Sequence, residues 1–183
     1  MNSSDEGWIE VITGPMFSGK TEELIRRVRR MAFGRRHVRV YRPVRDTRSE
    51  TLVSHARTEL LPDDRYVTVE YVSDLATIPR DTVTIAFDEA QFFGPEIVDW
   101  VKEAERRGVH ILIAGLDRDS RGEEFGSMKE LVFMADRVDK LAAVCVVCAR
   151  DATRTQRKKP FESQIAVGAS ELYEPRCKRC HRV

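Results

Sequence analysis

The chain has 183 residues, a formal net charge of +1 and 33% charged residues. That length suggests one domain with room for a small appendage, and it is enough to bury a sizeable core. Near-neutrality gives no electrostatic case for nucleic-acid or acidic-membrane binding, and no apolar run approaches the length of a membrane span. The N-terminal MNSSDEGW is acidic and polar, which does not read as a secretory signal, so a soluble cytoplasmic protein is the expectation.

The first element is a short strand of apolar residues, 8–13. It runs into Gly14-Pro15-Met16-Phe17-Ser18-Gly19-Lys20-Thr21, which fits G-x-x-x-x-G-K-[ST], the phosphate-binding loop. A helix follows, with Leu24, Ile25, Val28 and Met31 on one face and Gly34 as its stop. Residues 37–42 alternate like a strand up to Pro43. Residues 43–64 are a long polar stretch without periodicity, of a length that is usually functional or disordered in a compact domain. Residues 66–72 read as a third strand, and Ser73 or Asp74 as the cap of a short turn before Pro79.

Residues 82–88 (TVTIAFD) are a near-continuous apolar run ending in an acid, the pattern of a strand buried on both faces of a parallel sheet. Gly94-Pro95 opens a helix with Ile97, Val98, Val101 and Ala104 inward and Gly108 at its end. Residues 109–114 form another buried strand, and 115–127 a polar loop. Residues 128–135 read as a helix with Leu131, Val132 and Ala135 on one side. Residues 138–144 are the candidate last strand of the sheet. Alternating strands and helices predict an α/β fold, a parallel sheet covered on both faces. Composition breaks at Cys145, which divides a nucleotide-binding unit (1–144) from a small C-terminal unit (145–183).

Each motif implies chemistry. A triphosphate needs several N–H donors converging on its oxygens; glycines let the backbone approach, and the helix tip adds the positive end of its dipole. Lys20 is placed to reach the β- and γ-phosphates, and the Thr21 hydroxyl to ligate Mg²⁺. Asp88-Glu89 ends a hydrophobic strand, where phosphate-loop folds keep an acid for Mg²⁺. Neighbouring strand residues point opposite ways, so Asp88 can face the metal while Glu89, a candidate general base, faces another ligand. The plainer alternative is two solvated acids opening a loop. Phe92 and Phe93 follow; either is ordinary core, or one ring stacks on a base.

All four cysteines lie in Cys145-x-x-Cys148 and Cys177-x-x-Cys180, with 28 residues between the pairs. Two such knuckles complete a tetrahedral Zn²⁺ site that holds structure and leaves no open position. A redox C-x-x-C or a pair of disulfides is the alternative, and disulfides fit poorly with no export signal. His181 reads as a surface residue, the alternative being that it substitutes as a metal ligand. The segment between the pairs starts basic (Arg157, Lys158, Lys159), turns strand-like at 164–167, and is either a solvated loop or a lid over a small substrate.

Together these pieces resemble the type II, cellular-type thymidine kinases. The matching residues are GPMFSGKTEELIRR (14–27), Asp46-Thr47-Arg48, Ser54-His55, DEAQFF (88–93), Gly115-Leu116-Asp117 with Phe125, LAAVCVVC (141–148), Val167-Gly168, Tyr173 and Cys177-x-x-Cys180. The resemblance implies a RecA-like phosphate-loop domain and a C-terminal zinc-ribbon and lasso domain. It implies transfer of the γ-phosphoryl of ATP to the 5′-hydroxyl of thymidine, with deoxyuridine as second substrate. It assigns Glu89 as the base. It assigns Gly14 to Thr21 with Asp88, Glu89, Ala90 and Gln91 to the nucleotide and its Mg²⁺. Phe92 becomes the ring against thymine, and Met16, Leu116, Phe125 and Tyr173 the pocket wall. Arg48 lies near the phosphates, and the backbone around Val167 binds the base. A homotetramer and feedback inhibition by thymidine triphosphate are likewise implied. Arg57 and Ala169 stand where the family commonly has glycine.

Two rival readings remain on the residues alone. One is a phosphate-loop ATPase with a zinc ribbon, in which Glu89 orients water. The other is a nucleotide-switch module with little turnover. Neither predicts aromatics after the acid pair together with a base-sized lid.

Overall fold

A computed structural model describes residues 6–44, 65–79, 82–158 and 172–182. Six strands form one parallel sheet in the order β3-β2-β4-β5-β1-β6. They are β1 (Trp8–Thr13), β2 (Val38–Pro43), β3 (Val67–Val72), β4 (Thr84–Phe87), β5 (His110–Gly115) and β6 (Arg137–Lys140). The helices are α1 (Lys20–Phe33), α2 (Glu96–Arg106) and α3 (Met128–Met134). Every strand of the sheet must return to the same end before the next begins, which is why helices and loops cross between them.

The alternation of side chains sorts the core into two layers. On one face Ile12, Val40, Ala86, Leu112 and Ala114 meet Leu24, Ile25 and Val28 of α1. On the other, Ile9, Val11, Ile85, Phe87, Ile111 and Ile113 meet Ile97 and Val101 of α2 and Met128 and Leu131 of α3. Phe87 takes Phe93 and Trp100 edge-on at 5.3 and 5.4 Å, favourable geometry for aromatic pairs. The central strands are buried on both sides, as their continuous apolar letters require. The expected fold class is therefore observed.

Boundaries agree within a residue for the early strands. Asp74 is the cap anticipated for the turn before Pro79: its carboxylate accepts from Ala76 N at 2.8 Å at the start of a 3₁₀ turn over Leu75–Thr77. The stretch 138–144 differs from its reading as one strand. β6 ends at Lys140, Leu141 N gives a last bond to Thr13 O at 2.8 Å, and the chain leaves the sheet. Residues 143–144 (β7) then pair antiparallel with Asp151–Ala152 (β8). β9 (Arg154–Arg157) pairs antiparallel with β10 (Tyr173–Arg176). These two ribbons carry the cysteines. The expected strand at 164–167 lies outside the described residues, as do Asp46, Thr47, Arg48, Ser54, His55, Arg57, Lys159, Val167, Gly168 and Ala169.

Candidate active site

The site gathers at the C-terminal ends of β1, β4 and β5, the end at which open α/β sheets bind ligands. β1 delivers the chain into Gly14, whose φ of 142° and closeness to Leu141 exclude a side chain: an added Cβ would sit 2.4 Å from Leu141 O. Gly19, at φ 83°, turns the loop into α1 and is its N-cap, with no side-chain cap. The first amides of a helix have no acceptor within it, so this tip offers donors where a phosphate would lie. Lys20 Nζ reaches back to Pro15 O at 2.8 Å, arching over the loop. Thr13 Oγ1 and Ser18 Oγ are buried and find no hydrogen-bond partner among the described residues. Buried hydroxyls are ordinarily satisfied, and a phosphate chain in this cradle would satisfy them. The residues present therefore fit the group.

The acid pair follows β4. Asp88 is 2% exposed and its backbone N donates to Tyr41 O at 3.0 Å, holding it in line with the sheet. Thr21 Oγ1 donates to Asp88 Oδ1 at 3.3 Å, so two oxygen ligands of the kind Mg²⁺ prefers stand side by side. Asp88 Oδ2 lies 3.7 Å from Arg42 Nε, and Arg42 Nη1 donates to Tyr71 Oη at 3.0 Å. Glu89 takes the left-handed backbone region, φ 52° and ψ 42°. A non-glycine residue there carries strain on the order of 1–3 kcal/mol, a conformation that tends to persist at functional sites. Glu89 thus opens the 3₁₀ turn over Ala90–Phe92.

Gln91, 3% exposed, ties this turn to the next strand. Its Nε2 donates to Glu89 Oε2 at 2.6 Å and its Oε1 accepts from Leu116 N at 2.9 Å. Phe92 is half-buried and meets Phe125 edge-on at 5.4 Å and 88°. Phe93 is the core member of the pair. Leu116 and Tyr173 are buried, and Met16 is half-buried. Ala90 is fully buried behind the acid pair. The structure thus brings Asp88 and Glu89 to the loop's end of the sheet, and it puts Phe92 against Phe125.

The cysteine module is joined to the loop. The four Sγ atoms of Cys145, Cys148, Cys177 and Cys180 lie within 4.8 Å of one another. Cys148 Sγ is 3.6 Å from Cys177 Sγ and 3.7 Å from Cys180 Sγ. Four sulfurs at the usual Zn–S length on a tetrahedron stand about 3.8 Å apart, so the set could hold a metal ion. Burial pushes the Cys145 thiol up, but backbone N–H donors, that of Cys177 foremost, outweigh it and bring it down to about 6. Cys180 is pushed up to about 12, chiefly by its hydrogen bond with Cys177. Phe17 packs on this cluster, and Met16 N donates to Thr155 Oγ1 of β9 at 3.0 Å. His181, expected at the surface, is half-buried and bonds Ser120 O at 2.9 Å.

Arg42 and Thr155 were not singled out in the sequence. Arg42 had a faint signal, since an arginine ending an apolar strand of a parallel sheet stands where ligands bind. Thr155 had none, its partner being 139 residues away. No helix among the described residues is long and apolar enough to cross a membrane.

A family model described as thymidine kinase matches residues 7–181, nearly the whole chain. The chain belongs to the thymidine kinase family, whose reaction is the phosphorylation of thymidine.

Proposed function

We propose that the chain transfers the γ-phosphoryl of ATP to the 5′-hydroxyl of thymidine, with deoxyuridine as a second acceptor. The observation that carries this reading is the juxtaposition at one sheet end of the Lys20-Thr21 loop, the Thr21–Asp88 pair at 3.3 Å and the strained Glu89 turn beside it. Gly14 to Thr21 cradle the phosphate chain through backbone amides, and Lys20 leaves Pro15 O to meet the β- and γ-oxygens. Thr21 and Asp88 would hold Mg²⁺, which would neutralise charge on the phosphates. Glu89 accepts the 5′-hydroxyl proton as the new P–O bond forms and the bond to the departing diphosphate breaks. Gln91 keeps the Glu89 carboxylate aimed, and Ala90 packs the turn from behind. Phe92 supplies a face for thymine, steadied by Phe125, with Met16, Leu116 and Tyr173 as walls. Arg48 near the phosphates and the backbone at Val167 over the base complete the set by family resemblance alone.

The four cysteines hold a structural Zn²⁺ in this reading. A cytoplasmic homotetramer inhibited by thymidine triphosphate is likewise proposed from the family. The test is a nucleoside panel with γ-labelled ATP. Label should pass to thymidine and, less efficiently, deoxyuridine, with little free phosphate. Release of phosphate without a labelled nucleotide would favour an ATPase instead.

A further inference from the structure

Toward the N-terminal ends of β1, β5 and β6, away from the phosphate loop, lies a half-open cavity of about 400 Å³. That is within the range of small-molecule sites. Its wall is formed by α1 and the strand ends, and it carries five arginines, Arg26, Arg27, Arg30, Arg36 and Arg137, against one carboxylate, Glu10. The carboxylate is already engaged: Arg27 Nη1 donates to Glu10 Oε2 at 2.5 Å, and His110 Nε2 lies 2.9 Å from Glu10 Oε1. Three of the arginines are engaged as well. Arg27 is held by Glu10, Glu23 and Asp139, Arg26 by Glu23, and Arg137 by Asp139.

Two guanidinium charges are left over. Arg30 and Arg36 have no ion pair among the described residues. They stand at the end of α1, where helix carbonyls would ordinarily repel an anion. Three of those carbonyls already accept capping bonds: Gly34 N donates to Arg30 O at 3.3 Å, Arg36 N to Met31 O at 3.1 Å and Arg35 N to Ala32 O at 2.8 Å. Guanidinium forks match phosphate oxygens in pairs of parallel hydrogen bonds. An excess of positive charge in a cleft raises the local concentration of such a ligand.

We infer that this cavity is a second anion site, distinct from the phosphate loop, that takes a phosphate-bearing small molecule at Arg30 and Arg36. The ligand is doubly charged or more, matching the two uncommitted cations, and it is either a free polyphosphate or the phosphate chain of a nucleotide.

The experiment is calorimetric titration of the full chain with pyrophosphate, and in parallel with ATP. Wild type should show two classes of site. The Lys20→Met variant should keep one of them, and Arg30→Gln/Arg36→Gln should lose that one, by at least tenfold in affinity. The arginine variant should retain the loop site and thymidine phosphorylation within twofold. Tighter binding of ATP than of pyrophosphate in Lys20→Met supports a nucleotide; equal binding supports free polyphosphate. Absence of saturable binding of either ligand in Lys20→Met, or a loss below tenfold in the arginine variant, overturns the site. Both arginines are exposed, so thermal midpoints within about 2 °C of wild type certify the fold.

Discussion

The two ends of β1 treat buried polar groups in opposite ways. At Thr13 and the loop beyond it, the Thr13 and Ser18 hydroxyls are buried without partners among the described residues, and Glu89 holds a strained backbone. Three residues earlier, Glu10 belongs to a saturated cluster. Arg27, 7% exposed, gives one hydrogen bond each to Glu10, Glu23 and Asp139 at 2.5, 2.8 and 2.6 Å. That cluster joins α1 to β1 and β6 and has nothing left to offer Glu10 or Asp139. Unmet polar capacity marks the end where chemistry is expected. Met polar capacity marks the end where the fold is held.

Substitutions at each end should separate these roles. The largest effect is expected from Glu89→Gln, which removes the proposed base but keeps the shape. Phosphorylation should fall by roughly 10³-fold, in the range general-base catalysis supplies. ATP affinity and thermal midpoint should be nearly unchanged, and near-normal turnover would remove the assignment. Next is Arg27→Met, which removes the one cation shared by Glu10, Glu23 and Asp139 and leaves them to His110, Arg26 and Arg137 in a partly solvated cluster. Stability should drop by roughly 2–3 kcal/mol, discounted for that solvation. The midpoint should fall by about 5–10 °C. Turnover of the folded enzyme should stay near wild type, and a catalytic loss without a stability loss would reverse the contrast.

A smaller effect is expected at the cysteines. Because Phe17 packs on the cluster and Met16 N bonds Thr155, Cys148→Ser or chelation should loosen the phosphate loop. We expect nucleotide affinity to weaken by roughly tenfold, as loss of a structural metal couples to local folding. Unchanged affinity in the metal-free protein would show that the module and the loop are independent.

The smallest effect concerns acid. The Glu23 carboxyl is held down at about 2 from 4.5, first by its hydrogen bond from Arg26, then, against burial, by Arg27. The Glu10 carboxyl is lowered mainly by His110 and the Asp139 carboxyl mainly by Arg27. A depressed carboxylate stabilises the fold above its ordinary range, and that contribution disappears as pH falls through the folded value. Urea midpoints should therefore decline as pH drops from about 4.5 towards 2, and less steeply in Arg27→Met. Parallel slopes would mean that Arg27 does not set them.

Much of the sheet was legible because two periods carry it: near-continuous apolar runs at 84–87 and 111–114, and a 3.6-residue stripe in α1 and α2. The loop and the cysteine pairs were legible because their chemistry fixes the spacing between close neighbours. Residues 138–144 misled because the sheet bond at Leu141 N and the ribbon bond to residues 151–152 are made to different partners, which no local pattern distinguishes. Arg27 sat among helix-surface arginines in sequence. Its burial depends on carboxylates 17 and 112 positions away. Arg42 and Thr155 share that difficulty, since their importance comes from what the fold sets beside them. Phe92 and Phe93 look alike in the chain, but the 3₁₀ turn sends one into the core and the other towards Phe125.

The most direct measurement is a crystal structure of the chain with thymidine and a non-hydrolysable ATP analogue. We expect a Glu89 carboxylate oxygen within about 3 Å of the 5′-oxygen, on the line from that oxygen to the terminal phosphate. A Glu89 carboxylate turned away from the sugar, with the 5′-oxygen beyond its reach, would contradict its role as the base.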